Sequence, residues 1–519
     1  MHLSSTMTAA QSSDRSMKQL LVVLLSLFAF IPSDAQETIS LSGFWEYSLA
    51  DSAGYAGEVT LPGVLPVKGD RISLRHSVYV PGTWDRKRIF LYLERPLFET
   101  NVYVNGYQVG GDSILSVPHR FDITKALKLG TRNTIVVSGR PKGHVAGITG
   151  LMELRSHDED LHIRRVRVYP QPYQNIVQVE TQLEGSYYDL SYYPLQVLMQ
   201  RANVDSAAVT MVNYEIENRH MILNVPAGKK IDLWDEFTPN LYQIGVSAGY
   251  EYYETTFGMR ELAREGEQLL INRRPLYLRG VVERHDFPEG YPPTDEGPWR
   301  TIFQRYKDCG LNLVYFADYC PTDAAFTAAD KLGLMLYPAD SLPMRERILD
   351  TYGDHPSLLP VLPRLQCVAE KEIGKKSIET LLSKADIPGF LLPTLPDSIV
   401  ASEMHQYCSA LVPLARLSKE AYALGDTLRA SVECYNALYG DIKKVQASYF
   451  VCNDHNDILT SGQVYVGGVP LGPGNPMGEI VVPLEGITVP QKLTLTIVLS
   501  GNRYVNRWEF RVYDNKEKL

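Results

Sequence analysis

Short apolar runs alternating with polar residues, broken by turn formers, fill the first third of the chain. This period-2 pattern marks half-buried strands. Arg88-Ile89-Phe90-Leu91-Tyr92-Leu93 and Asn101-Val102-Tyr103-Val104-Asn105-Gly106 are two such runs, and Thr134-Ile135-Val136-Val137 is a third. With Ile163 to Tyr169 they predict an antiparallel β-sandwich of jelly-roll type over 36–171. Short strands at Gln196-Val197-Leu198-Met199, Leu241-Tyr242-Gln243-Ile244 and Tyr252-Tyr253-Glu254-Thr255 predict an immunoglobulin-like sandwich over 172–262.

The period changes after that. Leu276-Tyr277-Leu278-Arg279-Gly280 is a strand, followed by helical patterns over 298–309, 322–332, 344–352 and 375–384. Between them lie strand runs at Leu313-Val314-Tyr315-Phe316, Leu334-Met335-Leu336-Tyr337, over 357–362, and at Gly389-Phe390-Leu391-Leu392. Alternation of this kind predicts parallel βα units, as in a (β/α) barrel. The region 263–405 offers 143 residues and about five strands, whereas a closed eight-unit barrel takes roughly 250. It is therefore expected to be a truncated, partial TIM-barrel-like region with an open edge. Strand patterns return to the end, predicting a C-terminal immunoglobulin-like β-sandwich over 406–519.

The first 35 residues read as a secretory signal peptide. Arg15 and Lys18 precede the apolar run from Leu20, and Ser33-Asp34-Ala35 stands ahead of Gln36. Secretion or a periplasmic location is the expectation. No later run approaches about 18 apolar residues, so no membrane span is predicted. The 519 residues carry a net charge of −9 and a pI near 5.7, which leaves no electrostatic footprint for nucleic acid. All six cysteines lie in the second half, none in a CxxC pair. Cys434 and Cys452 offer one possible disulfide, with buried free thiols the favoured alternative. No metal-ligand spacing occurs, and no cofactor is expected.

Several segments stand out in order: Leu93-Glu94-Arg95-Pro96, Val104-Asn105-Gly106, Pro118-His119-Arg120-Phe121-Asp122-Ile123-Thr124, Ala146-Gly147-Ile148-Thr149-Gly150-Leu151, Phe257-Gly258-Met259-Arg260-Glu261, Tyr291-Pro292-Pro293-Thr294-Asp295 and Cys320-Pro321. As a set they resemble glycoside hydrolase family 2, the β-galactosidase and β-glucuronidase group, in a bacterial branch with an appended C-terminal β-domain. The resemblance implies a retaining β-glycosidase using two carboxylates about 5 Å apart. It also implies an acid/base Glu in a Gly-Asn-Glu tripeptide after the His-Pro-Ser signature. Here His355-Pro356-Ser357 is present, but Leu365 and Gln366 stand in the Asn and Glu places. A primary amide cannot cycle a proton as a general acid/base must. Tyr315 and Ala317 stand where the branch has Arg and His, and the strand for the second Glu has no counterpart.

Other polar groups fall at the C-terminal ends of the βα strands, where binding residues collect. Glu283, His285 and Asp286 follow the first such strand, and Asp318 and Asp340 follow the second and third. Glu283, His285, Asp318 and Asp340 are the substrate-binding candidates. Trp84, beside Gly82 and Thr83, is the best candidate for a sugar-stacking platform. Gly245-Val246-Ser247-Ala248-Gly249 spells a nucleophile elbow but continues as strand, so it reads as coincidence. Asn453-Asp454-His455-Asn456-Asp457 reads as a polar hairpin turn. The expectation is an exported relative of these hydrolases, catalytically impaired, that retains carbohydrate binding or an assembly role. Two alternatives stand beside it. One is an active retaining glycosidase with relocated carboxylates. The other is a scaffold whose open edge is covered by a protein partner or a second copy.

Overall fold

The structure is a computed structural model. It describes residues 37–514 apart from 50–53, 56, 68–70, 116, 142–143, 187–193, 203–208, 285–286, 289, 339–341, 385–386 and 500–503. The signal-like segment 1–35 therefore lies outside the described residues, as do His285, Asp286 and Asp340. The protein is β-rich and built from several packed units, each with its own core.

In the first unit a four-stranded and a six-stranded antiparallel sheet face each other. The alternating runs of the sequence are its strands, Lys87–Leu93, Thr100–Val104 and Thr131–Gly139 among them. Their inward residues, Leu91, Val102, Val104, Ile135 and Val137, close a core around Trp45 and Trp84. Trp84 is only 1% exposed, and its indole N–H donates to the Glu37 carboxylate at 2.9 Å. The sugar-platform reading of Trp84 is thus corrected: its large apolar ring is worth more inside the sandwich than on a loop.

A second antiparallel unit follows. Its three-stranded sheet contains His162–Gln171, Ile176–Glu184 and His220–Pro226, and its four-stranded sheet contains Leu195–Arg201 and Leu241–Ala248. The GxSxG sequence straddles a strand and the turn into Glu251–Gly258. No helix follows it, as expected of a coincidental match. The C-terminal unit, from Leu411–Leu417 to Tyr504–Tyr513, packs a three-stranded sheet on a five-stranded one. Asn453–Asp457 forms the turn between Ile442–Cys452 and Ile458–Val469. Cys434 and Cys452 are both free thiols, which removes the disulfide option.

Between these units lies the parallel layer. Its strands are β1 (Leu278–Glu283), β2 (Leu313–Phe316), β3 (Met335–Pro338), β4 (Gln366–Cys367) and β5 (Gly389–Leu392). Its helices are α1 (Glu296–Asp308), α2 (Asp323–Leu332), α3 (Leu342–Tyr352), α4 (Lys375–Leu382) and α5 (Ala401–Cys408). All pairings are parallel, in the order β3-β2-β1-β5-β4.

The strand expected over 357–362 forms differently. Leu358 makes one parallel bridge to Leu336 of β3, and the chain then crosses to the opposite edge, where Gln366 pairs with Phe390. Pro360 and Pro363 explain the break, because neither can donate to a ladder.

The layer has two distinct faces. Val281, Val314, Phe316, Leu336 and Phe390 pack on the helices. Leu278, Leu313, Met335 and Leu391 point the other way, against Trp234, Leu241, Leu269 and Ile271. Gly280 lies in that second face because a Cβ there would stand 2.5 Å from Leu391 Cδ2. The apolar face is therefore buried by the chain's own neighbouring β-structure.

Candidate functional site

The C-terminal ends of β1 and β2 are the place to look for chemistry. Glu283 closes β1, half-buried, and its carboxylate accepts a hydrogen bond from the Tyr306 hydroxyl on α1. Burial first, and then the Glu283 charge, push the Tyr306 phenol well above its usual range. Asp318 lies exposed in the bend after β2. Alternation along a strand sets the facing of the rest. Tyr315 and Tyr337 lie on the helix-free face, with rings stacked at 5.8 Å and an interplanar angle of 11°. Leu362 and Leu365, from the crossing segment, pack into the same cluster. Gln366 is exposed, and its register opposite Phe390 puts it on the helix side rather than among the tyrosines. Glu283 and Asp318 thus share one end of the layer, while Gln366 stands at the far edge.

Sequence reasoning missed a denser polar cluster where the first β-unit docks on α2. Glu94 is buried, and its Oε2 accepts from the Leu151 N–H at 2.9 Å while Oε1 accepts from the Asp323 N–H at 3.3 Å. It thereby places a carboxylate at the helix N-terminus, where the backbone dipole favours negative charge. Burial, the largest influence, pushes the Glu94 carboxyl above its ordinary range. His355, of the His-Pro-Ser signature, lies between two carboxylates. Its Nδ1 is 2.6 Å from Asp330 Oδ2 and its Nε2 is 3.3 Å from Asp323 Oδ1. Burial pulls its pKa down, but the Asp330 charge and the bonds to both carboxylates win and push it up to about 10. Asp330 also accepts from the Ser357 N–H at 2.9 Å, tying the signature to α2. The His355-Pro356-Ser357 signature was the sequence feature that pointed to this cluster. Among the described residues no group of His, Cys, Asp and Glu is arranged to hold a metal ion.

A domain family of unknown function, DUF8488, matches residues 426–514. Over about half of the chain, the sequence is similar to glycosidases. It is 22% identical over 292 residues to a β-galactosidase of Thermoanaerobacterium thermosulfurigenes, covering 51% of this chain and 40% of that protein. It is 27% identical over 277 residues to a putative β-glucuronidase of Formosa agariphila, covering 49% and 32%. The chain thus spans well under half the length of these curated relatives.

The fold is shared with a β-D-glucuronidase of Dictyoglomus thermophilum (TM-score 0.53, 18% identity, 65% of this chain and 67% of that one). It is shared equally with the apo β-glucuronidase of Ruminococcus gnavus (TM-score 0.53, 18% identity, 63% and 66%). The chain is thus similar in sequence, over about half its length, to β-galactosidases and β-glucuronidases. Its fold is shared with solved β-glucuronidases.

Proposed function

We propose that this chain is an exported, carbohydrate-binding relative of family 2 glycoside hydrolases that does not hydrolyse glycosides. In this reading the first unit is a sugar-binding jelly roll over 36–171, the second is immunoglobulin-like over 172–262, and 263–405 is a partial barrel. A C-terminal β-sandwich closes the chain over 406–519. The observation that carries the reading is Gln366: an amide at the acid/base place, exposed at a sheet edge and turned to the helix side. The stacked Tyr315 and Tyr337, with Leu362 and Leu365, support it by filling the face where a barrel enzyme would keep its cavity. Glu283 and Asp318 remain the carbohydrate-contacting candidates. Export rests on the signal-like segment 1–35.

An aryl β-glycoside panel run beside a glycan array tests the reading. The purified protein is expected to show background hydrolysis together with binding to at least one glycan class. Gln366→Glu is expected to stay at background too, because one carboxylate without its partner about 5 Å away cannot run the retaining mechanism. Turnover that Glu283→Gln abolishes would instead establish an enzyme with relocated carboxylates.

A further inference from the structure

The four-stranded sheet of the first unit ends on the edge strand His119–Asp122, which pairs with Lys87–Leu93. Met152–Asp158 flanks Lys87–Leu93 on its other side. The register sets Tyr92 opposite both Arg120 and Glu153, and Phe90 opposite both Asp122 and Arg155. The two arginines lean diagonally onto the central strand. The Arg120 guanidinium carbon lies 3.7 Å from the centre of the Phe90 ring, and that of Arg155 lies 3.7 Å from the centre of the Tyr92 ring. Phe90 and Tyr92 share a face two residues apart, about 7 Å along the strand. Two guanidiniums are thus held on neighbouring rings, and a guanidinium stacked by its face keeps its in-plane N–H groups for an acceptor.

Carboxylates are close, but each is already engaged. Asp122 accepts from Arg88, Glu153 accepts from Arg155 Nε at 2.6 Å, and Glu184 accepts from Arg164 Nη1 at 2.6 Å. Glu184 belongs to the same cluster through His162, whose ring lies 6.1 Å from Phe90 and whose Nε2 is 3.5 Å from Glu184 Oε2. Arg120 is left with no hydrogen bond or ion pair among the described residues, and it is exposed, so a ligand can reach it. Partial loss of water is the largest influence on it and pulls its pKa down to about 10. The Glu184 charge works the other way, and the group stays a cation at neutral pH. The chain as a whole carries −9, so this spare cation is a local feature and not part of a general basic surface.

We propose that Arg120, with Arg155 beside it, binds the carboxylate or sulfate group of an acidic glycan. The planar fork of a guanidinium matches an anion that offers two oxygens. A neutral sugar gains nothing from the unpaired charge. The proposal rests on the carbohydrate-binding reading of the first unit and adds the class of glycan.

The test is calorimetric titration of the full chain with three probes: oligogalacturonate, a sulfated dextran oligosaccharide, and unsulfated dextran of the same length. The parent is expected to bind at least one acidic probe more tightly than the neutral one, and less tightly as salt is raised. Which acidic probe binds names the group recognised. Arg120→Gln is expected to lose about tenfold or more in affinity for the acidic probe, with no change for the neutral one. Arg120→Lys keeps the charge without the flat fork and is expected to fall between the two. Equal affinity in parent and Arg120→Gln overturns the proposal and leaves the carbohydrate reading standing, as does a preference for the neutral probe. Binding of neither acidic probe also overturns it, and the glycan array then decides the carbohydrate reading separately. Should Arg120→Gln fail to fold, Arg120→Lys decides: weaker binding supports the site, and affinity equal to the parent's refutes it.

Discussion

Trp234→Ala is expected to destabilise the protein by about 3–5 kcal/mol, the usual range for emptying a buried aromatic site. Trp234 is fully buried in the cluster formed by Leu241, Leu278, Leu313, Met335, Leu359 and Leu391. The ring therefore joins the second β-unit to the helix-free face of the parallel layer. Its indole N–H donates to the Asp330 carbonyl at 2.8 Å, and the Asn272 amide donates to its backbone carbonyl at 3.0 Å. Alanine leaves a cavity and also strands the Asp330 acceptor. Trp234→Phe keeps most of the volume and is expected to cost about 1–2 kcal/mol. Guanidinium unfolding followed by circular dichroism, with calorimetry to resolve separate transitions, reads both. A loss below about 1 kcal/mol for the alanine variant would mean the two units are not joined through this ring.

A steep alkaline loss of stability is the second large effect expected, with His355 its source. Its folded pKa of about 10 lies above the unfolded value of 6.5. The folded state therefore binds the proton more tightly. The contribution is fully present below about pH 6.5 and is lost as pH rises through about 10. Each pKa unit is worth about 1.4 kcal/mol, so the ceiling is about 5 kcal/mol. Melting temperature measured from pH 6 to 10.5 should fall steeply in the parent. His355→Asn should melt lower at neutral pH, because Asp330 is left buried without its cation, and its curve should be flatter. Parallel curves for the two proteins would show that the imidazolium does not stabilise the fold.

Much of the architecture was legible from local periodicity. The runs at 88–93 and 101–104 became strands because every second residue enters the same core. The parallel layer followed from strand and helix patterns alternating at short intervals. What local pattern does not contain is strand order. Nothing in Leu358-Leu359-Pro360-Val361-Leu362-Pro363 announces that its two prolines end the strand and that Gln366 pairs at the opposite edge. Trp84 failed for a related reason: a Gly-Thr-Trp sequence looks like a loop, but burial is decided by which sheet folds over it. The places of Glu283 and Asp318 at the ends of β1 and β2 were legible, because they follow from the strand patterns. The Glu94 and His355 cluster was not, since it joins residues more than two hundred positions apart, as in the contact of Glu94 with Asp323.

The pairing of β5 with β1 sets a timetable. Leu278 of β1 pairs with Gly389 of β5, 111 positions later. During synthesis the first two β-units can close on contacts already made, but β1 keeps an open parallel edge until residue 392 has emerged. Long-range closure of this kind is slow, and an unpaired edge invites aggregation. Of everything synthesised up to residue 392, the parallel layer is therefore the last part to be secured. A stop or a stall anywhere in the preceding hundred codons would leave the most vulnerable edge of the protein exposed.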